Sequence, residues 1–334
     1  MPVSIKDIAR LAGVSHSTVS RALRNSPLIP ATTTQRIQQI AKEQGYRPSA
    51  VARSLVMRKT QAIGVVVTSI ADPFNGDVVD GIEEIANEHG YSVILATSQA
   101  NPDRELAVVR AFEERRVDGI LVASSRVGAL YLPVLAELRV PVVLINNQGR
   151  HAHVHTVAVH NTDGAYQATR HLVELGHTHI AYVGDRLGMQ SDVERRTGYA
   201  KALEECGIAV ASELTFEGDG KLDGGVEAAR AFLVKQPRAT AVFCYNDMTA
   251  LGLLSELVRA GVRCPDDISV VGFDDIVFAA LSQPALTTVR QPRRELGRRA
   301  MRMLLGVLRG ELTEKEIMIR GELIVRASTA PLVS

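Results

Sequence analysis

The stretch SIKDIARLAGVSHSTVSRAL, residues 4–23, sets apolar Ile5, Ile8, Ala9 and Ala12 at helical spacing behind Ser4, with acidic Asp7 in the first turn. Serine suits a helix N-cap and an early acid suits the helix dipole. The chain then turns at Gly13-Val14, and Ser15 is a second N-cap before a helix with Val19, Ala22 and Leu23 on its inner face. Two short helices joined by a glycine-containing turn make a helix-turn-helix, whose second helix enters the DNA major groove. His16, Ser17, Ser20 and Arg21 face outward and all can hydrogen-bond bases or phosphates; Arg21 suits a bidentate guanine contact. A third helix, about Thr32 to Gln44, carries Ile37, Ile40 and Ala41 inward and stops at Gly45. Periodicity by itself also fits a generic three-helix bundle with a polar surface.

Charge narrows the choice. The 334 residues have a net charge of only +1, yet residues 1–60 hold ten Lys/Arg against Asp7 and Glu43, which is +8 in the head and −7 in the remainder. A basic head on an acidic body points to a polyanion-binding module joined to something that handles another ligand. Hydrophobic content of 46% excludes a disordered chain. No apolar run reaches the ~18 residues of a membrane span. Three cysteines without a CxxC, and charges where a signal peptide needs an apolar stretch, lead us to expect a reducing, cytoplasmic location.

From residue 62 apolar runs alternate with amphipathic stretches. Strands are expected at 63–67, 91–96, 119–123, 141–146, 179–184, 240–246 and 268–275, and helices near 75–89, 103–116, 129–138, 161–175, 192–206, 223–235 and 247–260. Such alternation means parallel sheets buried on both faces, a doubly wound α/β architecture, here long enough for two subdomains. The expected division is a helix-turn-helix domain at 1–47, a hinge helix and linker at 48–61, and a sensor at 62–334 with chain crossovers near 161 and 290. Ligands of such sheets bind beyond the strand carboxyl ends. Ser69 and Asp72, Asn146, Asn246 and Asp247, and Asp274 and Asp275 gather there, with Arg195 at the start of a helix. Taken singly each is a helix cap or a loop polar residue; converging from several strand ends, they describe a polar ligand site.

The segment Pro48 to Leu55 allows barely two helical turns, marginal alone in water. It should form only when paired with a dimer mate on DNA, with Ala52 and Leu55 as its DNA-facing residues and Leu55 as an apolar wedge in the minor groove. A plain linker is the alternative.

The wording of residues 4–23, followed by RIQQIAKEQGYRPSAVARSL (36–55) and TQAIGVVV (60–67), resembles the N-terminus of the lactose-repressor (LacI/GalR) family of transcription regulators. The resemblance continues through DPF (72–74), VDGI (117–120), NTDGAYQATRHLVELGH (161–177), RRTGY (195–199), NDMTALG (246–252) and VVGFDD (270–275). It implies a periplasmic-binding-protein-like sensor of two hinged subdomains behind the all-α head. It also implies that His16, Ser17 and Arg21 read bases, and that Ser4, Ser15, Thr18 and Ser20 lie at the DNA backbone. Arg195, Asn246 and Asp274 would bind effector hydroxyls, with Ser69, Asp72, Phe74 and Asn146 on the opposite wall. The partners implied are a pseudo-palindromic operator, a second copy of the chain and a small-molecule effector, with no membrane, metal or cofactor.

Two departures bear on the effector. Gly220 in EGDGKLDGG stands where several relatives place an aromatic, and Asn146 stands where aspartate is frequent. Phe74 is either a ring-stacking residue or a core residue. A sugar or sugar derivative is the expectation, with a purine or another metabolite as the alternative. The string HAHVH (151–155) would align three histidines if extended, but reads as a loop leading to a strand. No GxSxG, HExxH or Gly-Lys-Ser/Thr phosphate loop occurs, so an enzyme is not expected. The C-terminal IRGELIVRASTAPLVS has no heptad tail, and no coiled-coil tetramer is expected.

If Arg21 reads a base, Arg21→Ala costs about 1–3 kcal/mol on the preferred operator and relaxes preference at one position. Binding isotherms on operator and random DNA check this; equal losses on both would remove the base-reading role.

Overall fold

In the computed structural model of the chain, which describes residues 3–46, 59–123, 137–147, 155–235, 238–311 and 314–332, Met1–Thr60 and Gln61–Ser334 form two compact units. Ala52 and Leu55, residues 129–136 of the helix expected near 129–138, and His151 and His153 lie outside the described residues.

The first unit holds α1 (Ile5–Ala12), α2 (His16–Ala22) and α3 (Ala31–Glu43). Ser4 closes a capping box: its Oγ accepts the Asp7 N–H at 3.3 Å and the Asp7 carboxylate accepts the Ser4 N–H at 3.1 Å. Two N–H groups that the helix leaves orphaned are thereby satisfied. Gly13, at φ 65°, ends α1 in the left-handed conformation that glycine adopts without strain. The α3 start at Ala31 has no side-chain cap, and Ile40 is only half-buried. Ile8, Val19, Ala22 and Ile37 are fully buried at the centre.

In the second unit, strands and helices alternate as β1 (Ala62–Val67), α4 (Pro73–Glu88), β2 (Ser92–Thr97), α5 (Pro102–Glu114), β3 (Gly119–Ala123), β4 (Val142–Ile145), β5 (His155–Val159) and α6 (Asn161–Glu174). There follow β6 (Ile180–Asp185), α7 (Gln190–Glu204), β7 (Thr215–Gly218), α8 (Leu222–Lys235), β8 (Ala241–Cys244), α9 (Asp247–Arg259) and β9 (Ser269–Asp274). The last elements are α10 (Val277–Leu281), β10 (Thr287–Arg290), α11 (Arg293–Arg309), β11 (Glu316–Ile319) and β12 (Glu322–Ile324). The doubly wound parallel-sheet expectation holds. One sheet runs β11-β5-β4-β3-β1-β2 and the other β12-β10-β9-β8-β6-β7. Apart from the edge strands β11 and β12, the order repeats with an offset of five, and the strand order of each sheet reverses between its first and third strand. Among the described strands only β12 is antiparallel to its neighbour.

The chain passes between the sheets three times: after β5, after β10, and at Arg320-Gly321 between β11 and β12. Sequence periodicity located β1 to β4, β6, β8 and β9 within about two residues. It missed β5, β7, β10, β11 and β12, which are three to five residues long, and also α10 and α11. The helix α11 packs Leu296, Ala300, Met301 and Leu304 into the core of the first sheet, so its helical repeat was legible.

The approach of α11 to α4 is set by two glycines. A Cβ on Gly81 would stand 2.0 Å from the Arg294 carbonyl oxygen, and one on Gly297 would stand 2.0 Å from the Val78 carbonyl oxygen. Any side chain at either position has to push the two backbones apart. We therefore expect Gly297→Ala to lower stability by about 1–3 kcal/mol, read as a reduced thermal midpoint; an unchanged midpoint would show that the helix pair separates freely.

Candidate functional site

In the helical unit His16, Ser17 and Arg21 are exposed along α2. Ser15 is committed locally: its Oγ accepts the Thr18 N–H at 3.1 Å and lies 2.7 Å from Ser17 Oγ and 2.9 Å from Thr18 Oγ1. Ser4 donates its hydroxyl to Asp7 at 2.7 Å, so both serines first hold the helix starts. Ser20 is half-buried, and Arg24, which sequence reasoning did not single out, donates to its carbonyl at 2.9 Å and to its Oγ at 3.3 Å.

In the second unit a cleft of about 800 Å³ opens at the strand carboxyl ends between the two sheets. This is where the reversal of strand order predicts a ligand crevice. Ser69, Asp72, Phe74, Asn146, Arg195, Asn246 and Asp274 all line it. Seven residues scattered over more than two hundred positions thus share one cavity.

Arg195, in the second turn of α7, is 3% exposed. Its Nε donates to Asn161 Oδ1 at 3.0 Å, its Nη1 to the Tyr245 carbonyl at 2.6 Å, and its Nη2 lies 3.7 Å from Asp274 Oδ1. The guanidinium also stacks 3.8 Å from the centre of the Phe273 ring. Asp274 accepts from Gln291 Nε2 at 2.6 Å through that same Oδ1, leaving Oδ2 as an acceptor toward the cleft. Asn246 caps α9, accepting the Thr249 N–H at 2.9 Å, and donates to the Gly220 carbonyl at 2.9 Å. Asp72 caps α4 through the Phe74 N–H at 3.0 Å, and Ser69 Oγ accepts from Ala71 at 3.1 Å. Asp72 and Asn246 are therefore caps and ligand candidates at once, with one polar valence used and one remaining.

Phe74 is 5% exposed and packs in the first hydrophobic core, so its main role is in the core. Asp275 turns away from the cleft and binds Arg290 at 2.7 Å and Arg326 at 2.5 Å. Sequence reasoning missed Tyr245, Asp185, Ser191 and Gln291, which also line the cleft. Tyr245 follows directly on β8, and its ring atom Cε1 would lie 3.3 Å from a Cβ on Gly220. The space that an aromatic at 220 would use is bordered by an aromatic from another strand. Gln291 carries no motif signal, since its importance arises only when two sheets meet.

A helix-turn-helix unit in the same chain as a two-lobed sensor with a polar cleft defines a ligand-responsive DNA-binding protein. Residues 4–49 match the family described as bacterial regulatory proteins, lacI family, and residues 169–329 match the periplasmic binding protein-like domain. The chain is 35% identical over 331 residues to the HTH-type transcriptional repressor PurR of Photobacterium profundum, covering 98% of this chain and 99% of that one. The Lac repressor dimer bound to operator and the anti-inducer ONPF superposes with a TM-score of 0.91 at 28% identity, over 99% of this chain and 100% of that one. The complex of the transcriptional regulator CelR with cellobiose gives 0.75 at 32% identity, over 98% and 99%. The chain belongs to the LacI family of transcription regulators and is not an enzyme.

Burial dominates the titration of the cleft. It pushes the Asp274 carboxyl up to about 8, with Arg195 pulling the other way and the carboxylates of Asp247 and Asp72 adding to the rise. Asp72 and Glu194 are raised for the same reason. A carboxyl raised in the folded state stabilises the fold below its unfolded pKa, and that contribution is lost as pH rises through the folded value. The carboxyls held low, Asp7, Glu84, Glu256 and Asp267, act only at more acid pH. His155, His171 and His177, lowered by burial, contribute the opposite slope below about pH 6.5. Thermal stability of the ligand-free chain should therefore fall between about pH 6.5 and about pH 8, and Asp274→Asn should flatten that slope. Thermal unfolding across the range checks it; an unaltered slope would assign the effect to other groups.

Proposed function

We infer that the chain is an effector-controlled repressor that binds a pseudo-palindromic operator as a homodimer in the cytoplasm, and that its effector is a neutral sugar or sugar derivative held between the subdomains. One observation carries the effector class: the cleft offers donors and acceptors in alternation. Ser69 O–H, the amides of Asn146 and Asn246, and Arg195 donate, and the second oxygen of Asp72 accepts. The second oxygen of Asp274, whose carboxyl is pushed up to about 8, donates as O–H or accepts once ionised. A hydroxyl both donates and accepts, so a polyhydroxylated ring satisfies such a set from several directions. Among the described lining residues, Asp72, Asp185, Asp219, Asp223 and Asp274 outnumber Arg195 and Lys221, which disfavours a sugar phosphate or sugar acid.

The related repressor named PurR favours a purine as the second reading. Against it, the two aromatic side chains on the cleft wall among the described residues make no sandwich for a flat base. Phe74 is buried in the core, and Tyr245 has the Arg195 guanidinium 4.8 Å from its ring centre. A dimer follows from the short α2, which alone reads too few bases for specificity; a stable monomer on a single asymmetric half-site in sedimentation would contradict it.

Cellobiose, D-glucose and hypoxanthine, screened by thermal shift, separate the readings. A sugar that raises the midpoint of the wild type should lose its effect by ~10-fold or more in affinity on Arg195→Ala, while ligand-free operator affinity stays near wild type. A normal response in that variant would remove the site assignment, and stabilisation by hypoxanthine alone would move the effector to the purines.

A further inference from the structure

Gln291 lies on the passage from β10 to α11, where the chain leaves the second sheet for the first, and is 2% exposed. Its side-chain Nε2 donates to Asp274 Oδ1 at 2.6 Å, and its Oε1 accepts from Asn146 Nδ2 at 3.2 Å. Asp274 ends β9 of one sheet, and Asn146 directly follows β4 of the other. One amide thus joins the two subdomains at the floor of the cleft.

The direction of this relay is fixed by the backbone. The Val159 N–H donates to Asn146 Oδ1 at 3.1 Å, and a backbone N–H can only donate. Asn146 must therefore turn its NH₂ toward Gln291, which must turn its carbonyl toward Asn146 and its NH₂ toward Asp274. No member can be flipped without setting two acceptors or two donors face to face. The relay also accounts for an amide at 146 where the family resemblance makes aspartate frequent. With its donor spent on Asp274, Gln291 offers only an acceptor to residue 146, and a carboxylate there would have nothing to give.

We propose that Gln291 is the positioning residue of the sensor, an amide latch that holds Asp274 at the cleft floor and sets the relative orientation of the two subdomains. Buried hydrogen-bonded chains favour one arrangement over its alternatives because every misalignment leaves unpaired polar groups. A ligand that engages Asp274 Oδ2 or the second N–H of Asn146 pulls on the same two side chains that the latch holds, so occupancy of the cleft and the angle between subdomains are two readings of one equilibrium. The link to an effector rests on the proposed function. The orientation itself does not.

The test needs no ligand. Spin labels at Arg115→Cys on the first subdomain and Lys201→Cys on the second, with Cys206→Ser and Cys264→Ser, report the inter-subdomain distance in the full chain diluted with unlabelled chain. The parent should give one narrow distribution, and Gln291→Met, which keeps length but removes both hydrogen bonds, should add a second population. Gln291→Glu sets two carboxyls together, faced by Arg195, Asp72, Asp247 and Arg293. One shared proton keeps a single distribution near about pH 6, and its loss splits the distribution near about pH 9. Adding Asp274→Asn to Gln291→Glu restores a donor to the pair and should return a single distribution at both pH values. Asn146→Asp should split it at the higher pH as well. A Gln291→Met distribution identical to the parent, or failure of Asp274→Asn to rescue Gln291→Glu, overturns the latch. If no sugar or purine stabilises the wild type while these distances shift as stated, the effector reading fails and the latch stands.

Discussion

A guanidinium removed from water must be answered from several directions at once, and Arg195 imposes that demand on the whole second unit. The carbonyl of Tyr245 comes from the end of β8, the amide of Asn161 from the start of α6, and Asp274 and the Phe273 ring from the end of β9. Asp274 is in turn answered by Gln291, and its backbone carbonyl accepts from Arg293, which also binds Asp77 of α4 at 2.7 Å. The network therefore continues into the first subdomain through two neighbours on one passage of the chain. Losing any member would strand a buried polar group whose cost exceeds the worth of the bond itself.

The architecture explains how one cavity comes to hold residues so distant in sequence. Two sheets of the same strand order place their points of reversal opposite each other, and the ends of β1, β4, β6, β8 and β9 or the segments after them deliver polar side chains to the gap. Several of those side chains begin a helix: Asp72 caps α4 and Asn246 caps α9. Capping and ligand binding use the same chemistry, a short polar side chain at a helix start with one valence to spare.

That economy also governs what sequence alone reveals. The helical head was legible because Ser4, Asp7, Gly13 and Ser15 are local signals whose partners lie within a few residues. Of the seven cleft candidates, Ser69, Asp72, Asn146, Asn246 and Asp274 were legible because they follow apolar runs, and Arg195 and Phe74 through the motifs RRTGY and DPF. The roles of Gln291 and Tyr245 were not, since they depend on contacts across 17 to 145 positions, as with the bonds from Gln291 to Asp274 and Asn146. The short strands β7 and β10 to β12 each carry Thr, Glu or Arg, so none shows the unbroken apolar run of the equally short β4 and β8. Phe74 shows the converse limit: DPF is a clear motif, yet only burial distinguishes a stacking ring from a core ring.

The three passages between sheets have a consequence for how the protein is made. The first sheet begins at Ala62, but its edge strand β11 and its covering helix α11 are not reached until residues 293–319. Leu296, Ala300, Met301, Leu304 and Leu305 fill the core beside Ile63, Val65 and Ile82, so that core stays open while two hundred further residues are synthesised. On the ribosome the first lobe to begin is thus among the last to close. A message ending after residue 290 would yield a chain with an exposed apolar face on its oldest portion, a substrate for chaperones and proteases rather than a shortened regulator.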